Sequence, residues 1–416
     1  MPLYFPCPSF ISRNAVNIAP NTDQLAARND TSVSDPKLLS LTATCQWAWT
    51  PLPEKVNRVL MDHLRTSFLF VLASLLPAGC LLLGAFLAGP WPAIALLSIT
   101  AVVLAMDRVG LAFDARLRGL DRLPWIIGFA HFGTLGATIW AVCLPQHLNT
   151  AQTLAMVLAM GLFAGQVSNA CAHELIHRTD RASRWLGIAM FVSISNGQHA
   201  SSHLLVHHRH AGTRKDPNSA PIGKGFYRFA LKASIEEFRG GWRAETQKRQ
   251  ARSFAAHPYA TYLAGGALAL VAALWLGGLT GALILLGISL HAQMQLLLSD
   301  YVQHYGLRRK IAPNGKAEPM GPQHSWNAPH VYSGALMLNA PRHSDHHMNP
   351  SRRFYALEYR SHQMPTLPYS VPVMGAAALI PPLWRRLMDD RARRWSEEPP
   401  KTPQTPTTTL NPPLTT

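Results

Sequence analysis

Three short stretches of this chain carry eight of its 19 histidines: His173-Glu-Leu-Ile-His177, His203-Leu-Leu-Val-His207-His208 and His343-Ser-Asp-His346-His347. Imidazole binds metals as a neutral base through one ring nitrogen. A four-residue step on a helix sets two side chains on one face, and each stretch contains such a pair. His304 stands alone in Asp300-Tyr-Val-Gln-His304-Tyr-Gly306. By itself it reads as a core histidine; in company with the others it reads as a ligand. Eight clustered imidazoles and a ninth exceed what one ion can hold, so the arithmetic points to two metals.

The first stretch also matches the HExxH pattern of zinc proteases, in which Glu174 would be the general base. Such a site needs one further ligand and has no use for two more histidine clusters. In the second stretch His203, His207 and His208 are the expected ligands. His199 precedes them at the same helical spacing and is the alternative. Metal-bound histidines usually donate their other N–H to a carboxylate or carbonyl, which makes Glu174, Asp216, Asp300 and Asp345 the candidates for orienting imidazoles. His131 and His291 lie within apolar stretches and read as helix-packing residues. His63, His147, His257 and His362 read as surface or interfacial.

The elements that must position these residues are apolar helices. The 416-residue chain is 48% hydrophobic and only 14% charged, yet carries 38 Lys+Arg against 22 Asp+Glu, a formal net charge of +16. No Lys or Arg occurs between Arg65 and Arg108, between Arg122 and Arg178, or between Arg252 and Arg308. Each window is long enough for two spans of about 20 residues. Each breaks near its middle, at Gly89-Pro-Trp-Pro92, Pro145-Gln-His-Leu-Asn149 and Gly277-Gly-Leu-Thr-Gly281. The expectation is an all-α bundle of three hairpins, with six spans near 68–88, 91–107, 124–144, 152–172, 259–276 and 281–302. The positive-inside rule then places every Lys and Arg, both termini and the histidine-rich region in the cytoplasm. The basic face reads as topology signal and lipid attraction, and as a surface that steers an acidic redox partner. No nucleic-acid recognition motif accompanies it. Residues 1–60 read as a polar, disordered extension, 61–390 as the membrane domain, and 391–416 as a disordered Pro/Thr-rich tail. Five cysteines without CxxC spacing indicate neither a zinc knuckle nor a disulfide framework.

Four motifs in order carry a resemblance: His173-Glu-Leu-Ile-His177-Arg178, His203-xxx-His207-His208, Tyr301-x-x-His304-Tyr-Gly306 and Arg342-His-Ser-Asp-His-His347. Supporting stretches are Asp216-Pro217, His324-Ser-Trp-Asn327 with His330, Asn349-Pro-Ser-Arg-Arg-Phe354 and Pro381-Pro-Leu-Trp384. From about residue 65 to 390 the chain resembles the membrane-bound alkane 1-monooxygenases, the histidine-rich di-iron oxygenases related to xylene monooxygenase and the fatty acid desaturases. The resemblance implies nine iron ligands, His173, His177, His203, His207, His208, His304, His343, His346 and His347, holding two non-haem Fe ions. It implies O2-dependent hydroxylation of a terminal C–H bond of an apolar substrate, most simply an alkane, with electrons from rubredoxin and its reductase. The chain departs from the family pattern at Ser202 (usually Glu), Val206 (usually Gly), Gln303 (usually Glu) and Ala340-Pro341 (usually Leu-Gln). These departures bear on substrate and electronic tuning rather than on iron binding. The rival readings are a xylene-monooxygenase-like or desaturase-like oxidation at the same two irons and, more distantly, an intramembrane HExxH zinc protease or a non-catalytic membrane transporter.

Overall fold

A computed structural model describes residues 54–109, 119–250 and 253–397. Most of the expected extension and tail lies outside these. Among the described residues the fold is all-helical, and its β features are two isolated bridges.

Among the described residues five helices are long and apolar enough to cross a membrane: α1 (Met61–Leu87), α2 (Trp91–Arg108), α3 (Leu123–Cys143), α4 (Thr150–Ile176) and α8 (Pro258–Gln303). α1 begins earlier than expected, its helical backbone starting at Glu54. The breaks read from the sequence are real turns. Ala88 and Gly89 take positive φ angles of 54° and 55°, and Pro90 leads into α2. Asn149 and Gln152 form a reciprocal capping box at the start of α4, satisfying two amides that the helix leaves unpaired. The 46-residue α8 is two helices joined at Gly277 and Gly278, whose φ angles of −150° and +59° are non-helical. A Cβ on Gly281 would lie against the carbonyl of Ala273. In a straight helix residues that far apart are separated by roughly 12 Å, so the chain doubles back here.

α1 packs on α2 and α3, α2 on α4, and α8 on α3 and α4. Small residues line these seams, where Gly84 meets Met156 and Gly165 meets Gln295. Close backbone approach is the usual route to helix association in lipid, because apolar tails remove the hydrophobic drive. α2 bends at Thr100 (φ −118°, ψ −84°), whose hydroxyl donates to the Leu96 carbonyl at 2.6 Å.

Further helices, which periodicity did not single out, are α5 (Arg181–Ser193), α6 (Gln198–Ser202) and α7 (Phe226–Arg249), followed after α8 by α9 (Val331–Leu336), α10 (His343–Met348), α11 (Val371–Ala378) and α12 (Pro381–Glu397). α12 runs past the boundary expected at residue 390, because Ala392 continues the buried stripe begun by Trp384 and Met388. His131 and His291 are packing residues, as expected. His131 bonds the hydroxyls of Ser168 and Ser193 at 3.0 and 2.8 Å, and the His291 ring fills the space over Gly161.

Candidate metal centre

Four chain segments supply the nine imidazoles. His173 lies in the last turns of α4, after a π-helical stretch at Phe163–Ser168, and His177 caps the helix. His203–His207 is itself a π-turn in which the His208 amide bonds the His203 carbonyl, five residues back. His304 caps α8, its amide donating to the Asp300 carbonyl at 2.9 Å. His343, His346 and His347 occupy α10. The stretch around His324 anchors α10. The Ser344 amide donates to Asn327 Oδ1 at 2.9 Å, and the Trp326 amide donates to the Gln303 carbonyl at 2.8 Å. The third and fourth segments are thereby tied together.

The imidazoles converge as two groups, His173, His177, His203, His208 and His346 in one and His207, His304, His343 and His347 in the other. Within each group the ligand nitrogens lie within 4.8 Å of one another. The π-turn explains how one cluster serves both. An i→i+5 turn brings His208 edge-on to His203, with Nε2 atoms 2.9 Å apart, and His207 faces His347 at 3.2 Å. The rings of His199, His203 and His207 stand in a row, with centroids 5.0 and 5.2 Å apart, yet the three do not share a group. His199 stays outside both groups, bonded through Nδ1 to Glu237 at 2.5 Å. α10 divides similarly, with His346 facing His208 at 3.2 Å while His343 faces His304 at 2.9 Å and His347 at 3.0 Å.

These donor sets fit two transition-metal ions. Nε2 atoms face one another at 2.7 Å (His173–His203) and 3.1 Å (His203–His177), so several lone pairs point at a common centre with too few protons to share. A cation at each centre removes that conflict. Burial, aided by neighbouring imidazoles, lowers the basicity of the rings, to about 3 for His177 and His343 and well below the usual value for His203, His208, His304, His346 and His347. They are therefore neutral and able to donate. His207 differs. Burial opposes its charge, but the Asp216 carboxylate outweighs burial and raises it to about 9. All-nitrogen sets suit iron, zinc, copper or nickel, and among the described residues neither group includes a carboxylate.

Of the four carboxylates expected to orient imidazoles, Asp216 does so. Both its oxygens lie 3.1 Å from His207 Nδ1, and it also accepts from Ser219 Oγ at 2.6 Å. The others bond elsewhere. Asp345 is held by Arg352 at 2.8 Å and by the Glu358 amide at 2.9 Å, which fastens the following loop to α10. Glu174 pairs with Arg178 at 2.9 Å, and Asp300 accepts from Asn218 Nδ2 at 2.6 Å. Glu237 was missed. It accepts from His199 and from Ser202 Oγ at 2.7 Å, so α7 brings a carboxylate to the place where Ser202 departs from the family pattern. Its signal was present in the sequence, since Glu237 falls on the same helical face as Phe226, Phe229, Ala230 and Ala233. A carboxylate on an apolar stripe requires a partner.

A mostly apolar cavity of about 440 Å³ reaches both groups, being lined by His173 and His203 of one and His343 of the other, and by Ile99, Val103 and Leu162 among its apolar residues. Gln303 and Ala340, two of the departures, both line it, and Gln303 Nε2 donates to the Ala340 carbonyl at 3.1 Å.

Comparison with known proteins agrees with this geometry. The fatty acid desaturase family model matches residues 149–376. Alkane 1-monooxygenase 1 of Alcanivorax borkumensis is 32% identical over 271 residues, 64% of this chain and 66% of the relative. Alkane 1-monooxygenase 2 of Pseudomonas aeruginosa is 30% identical over 268 residues, 63% of this chain and 71% of the relative. The xylene/toluene monooxygenase hydroxylase component of Pseudomonas putida is 27% identical over 354 residues, 81% of this chain and 91% of the relative. The match thus spans about two thirds of the length of these alkane 1-monooxygenases.

Proposed function

The chain belongs to the fatty acid desaturase family, among the relatives of its alkane 1-monooxygenases, and on that premise we propose that it is a membrane-bound di-iron monooxygenase that hydroxylates a terminal C–H bond of an apolar substrate. The observation that carries this reading is the pair of histidine groups opening onto one apolar cavity. The bundle crosses the membrane six times, counting α8 as two spans. The histidine region and both termini face the cytoplasm of a bacterial inner membrane, and electrons come from a rubredoxin-type donor. Asp216, Asp300, Asp345 and Glu174 act around the nine ligands rather than on the metal.

Bound iron supplies O2 activation. The remaining work belongs to the chain. Nine imidazoles would hold the ions through ring-nitrogen lone pairs, and Asp216 would keep the Nδ1 proton of His207 so that its Nε2 lone pair faces inward. Asp216, Asp300 and Glu237 are buried and have no Lys or Arg partner among the described residues, so they offset the added cationic charge. The apolar cavity excludes water and presents the end of the substrate to the site. With few polar contacts, selection rests on length and shape.

The cavity gives a chain-length prediction. Leu162 lies roughly 16 Å along α4 from His173. Leu162→Trp should lower turnover of the longest accepted substrates by roughly 10-fold or more and spare short ones, as read from a competition among chain lengths. Uniform loss across lengths would count against this cavity as the substrate site.

Turnover of linear alkanes, alkylbenzenes and fatty acyl chains in isotope-labelled oxygen tests the function itself, together with metal analysis. Labelled alcohol and two irons per chain are expected. An unlabelled alkene product would make the protein a desaturase, and a single zinc would revive the protease. A second reading, hydroxylation of a methyl group on an aromatic ring, is favoured by the near-complete coverage of the xylene/toluene relative. It is also favoured by Ala340, which leaves the cavity wider than the usual Leu would.

A further inference from the structure

We propose that a second hollow, of about 460 Å³, binds one anionic phospholipid of the membrane. It lies between α5, the His203–His207 π-turn, the end of α7 and the start of α8. Four cations line it: Arg181, Arg184, Lys248 and Arg249. Arg249 is spoken for, pairing with Glu245 at 2.8 Å, and Glu245 also accepts from Ser201. Among the described residues Arg181, Arg184 and Lys248 have no carboxylate partner. Three like charges around one concavity repel unless an anion joins them.

Position and lining identify the anion. The hollow opens where Ile176 ends one apolar helix and Pro258 begins another, which is headgroup depth for a bundle spanning between them. Trp185 on its wall is 52% exposed, as suits an indole at a membrane–water boundary. Ile188, Leu204 and Leu205 give the hollow an apolar wall beside its basic rim. A free phosphate would leave that wall unused. An acidic protein segment would cover the rim without filling it. A phospholipid satisfies both parts, its phosphate at Arg184 and Lys248 and an acyl chain against the leucines. Leu204 and Leu205 sit inside the π-turn that aims His203 and His207, so the lipid would also brace that turn.

The test places the full-length protein in nanodiscs of phosphatidylcholine with and without phosphatidylglycerol. It reads lipid retained in native mass spectrometry and the thermal midpoint. Wild type should retain one phosphatidylglycerol and melt higher in its presence. Arg184→Ala with Lys248→Ala should weaken retention roughly 30-fold, as two membrane-facing cations would, and should abolish the thermal shift. The exposed pair Arg228→Ala and Arg239→Ala should change neither. The single Arg184→Gln variant supplies the same readout if the double variant does not fold. Equal retention of both lipids by wild type, or undiminished phosphatidylglycerol retention in the variants, overturns the proposal. So does an equal thermal shift from inorganic phosphate in phosphatidylcholine alone.

Discussion

On the proposed function, His346→Ala should abolish hydroxylation and lower bound iron from the expected two per chain toward one. His346 faces His208 at 3.2 Å, and its ring centroid lies 4.4 Å from that of His173 and 4.8 Å from that of His177. Its removal strikes the five-histidine group while His207, His304, His343 and His347 keep their own set. Alanine preserves the α10 backbone, since it is the best helix former. The loss therefore reports on the metal rather than on the fold. His343→Ala should produce the mirror image, sparing the first group. Iron per chain and product formation are the measurements. A fully active His346→Ala protein with two irons would remove His346 from the centre.

Asp216→Ala should lower iron affinity and turnover by roughly 10–100-fold, the usual cost of losing the carboxylate that orients a metal-bound imidazole. Among the described hydrogen bonds His207 is the ligand whose Nδ1 meets a carboxylate, whereas Nδ1 of His203, His304, His343 and His347 is buried without a partner. Asp216→Asn, which still offers a carbonyl oxygen, should recover part of the loss. Asp345→Asn is the contrast. Its carboxylate holds Arg352 and the Glu358 amide, so thermal stability should fall while iron dissociation stays near wild type. Equal iron loss in both variants would deny Asp216 its special role.

Features governed by local chemistry were legible in the sequence. Gly89-Pro90, Asn149 with its capping partner Gln152, and Gly277-Gly278 mark turns because their backbones or side chains are specialised for them. The i, i+4 spacing of His173/His177 and His343/His347 shows that each pair shares a face, and each pair does fall in one group. What stayed hidden depends on contacts between distant segments. The π-turn at His203–His207 has no compositional mark, yet it sends neighbouring histidines to different groups. Asp345 beside two histidines looked like their orienting carboxylate, but Arg352 and the Glu358 amide compete successfully for its oxygens. Glu237 is 38 residues from His199 in sequence and becomes its partner only once α7 packs on α6.

Because the imidazoles come from positions 173 to 347, no nascent fragment that ends before α10 holds a complete set for either group. The four-histidine group has only His207 until synthesis has passed α8, which adds His304, and lacks His343 and His347 until α10 is made. Iron loading should thus follow the synthesis of α10, and a chain truncated before it could insert normally yet lack a complete set for either ion.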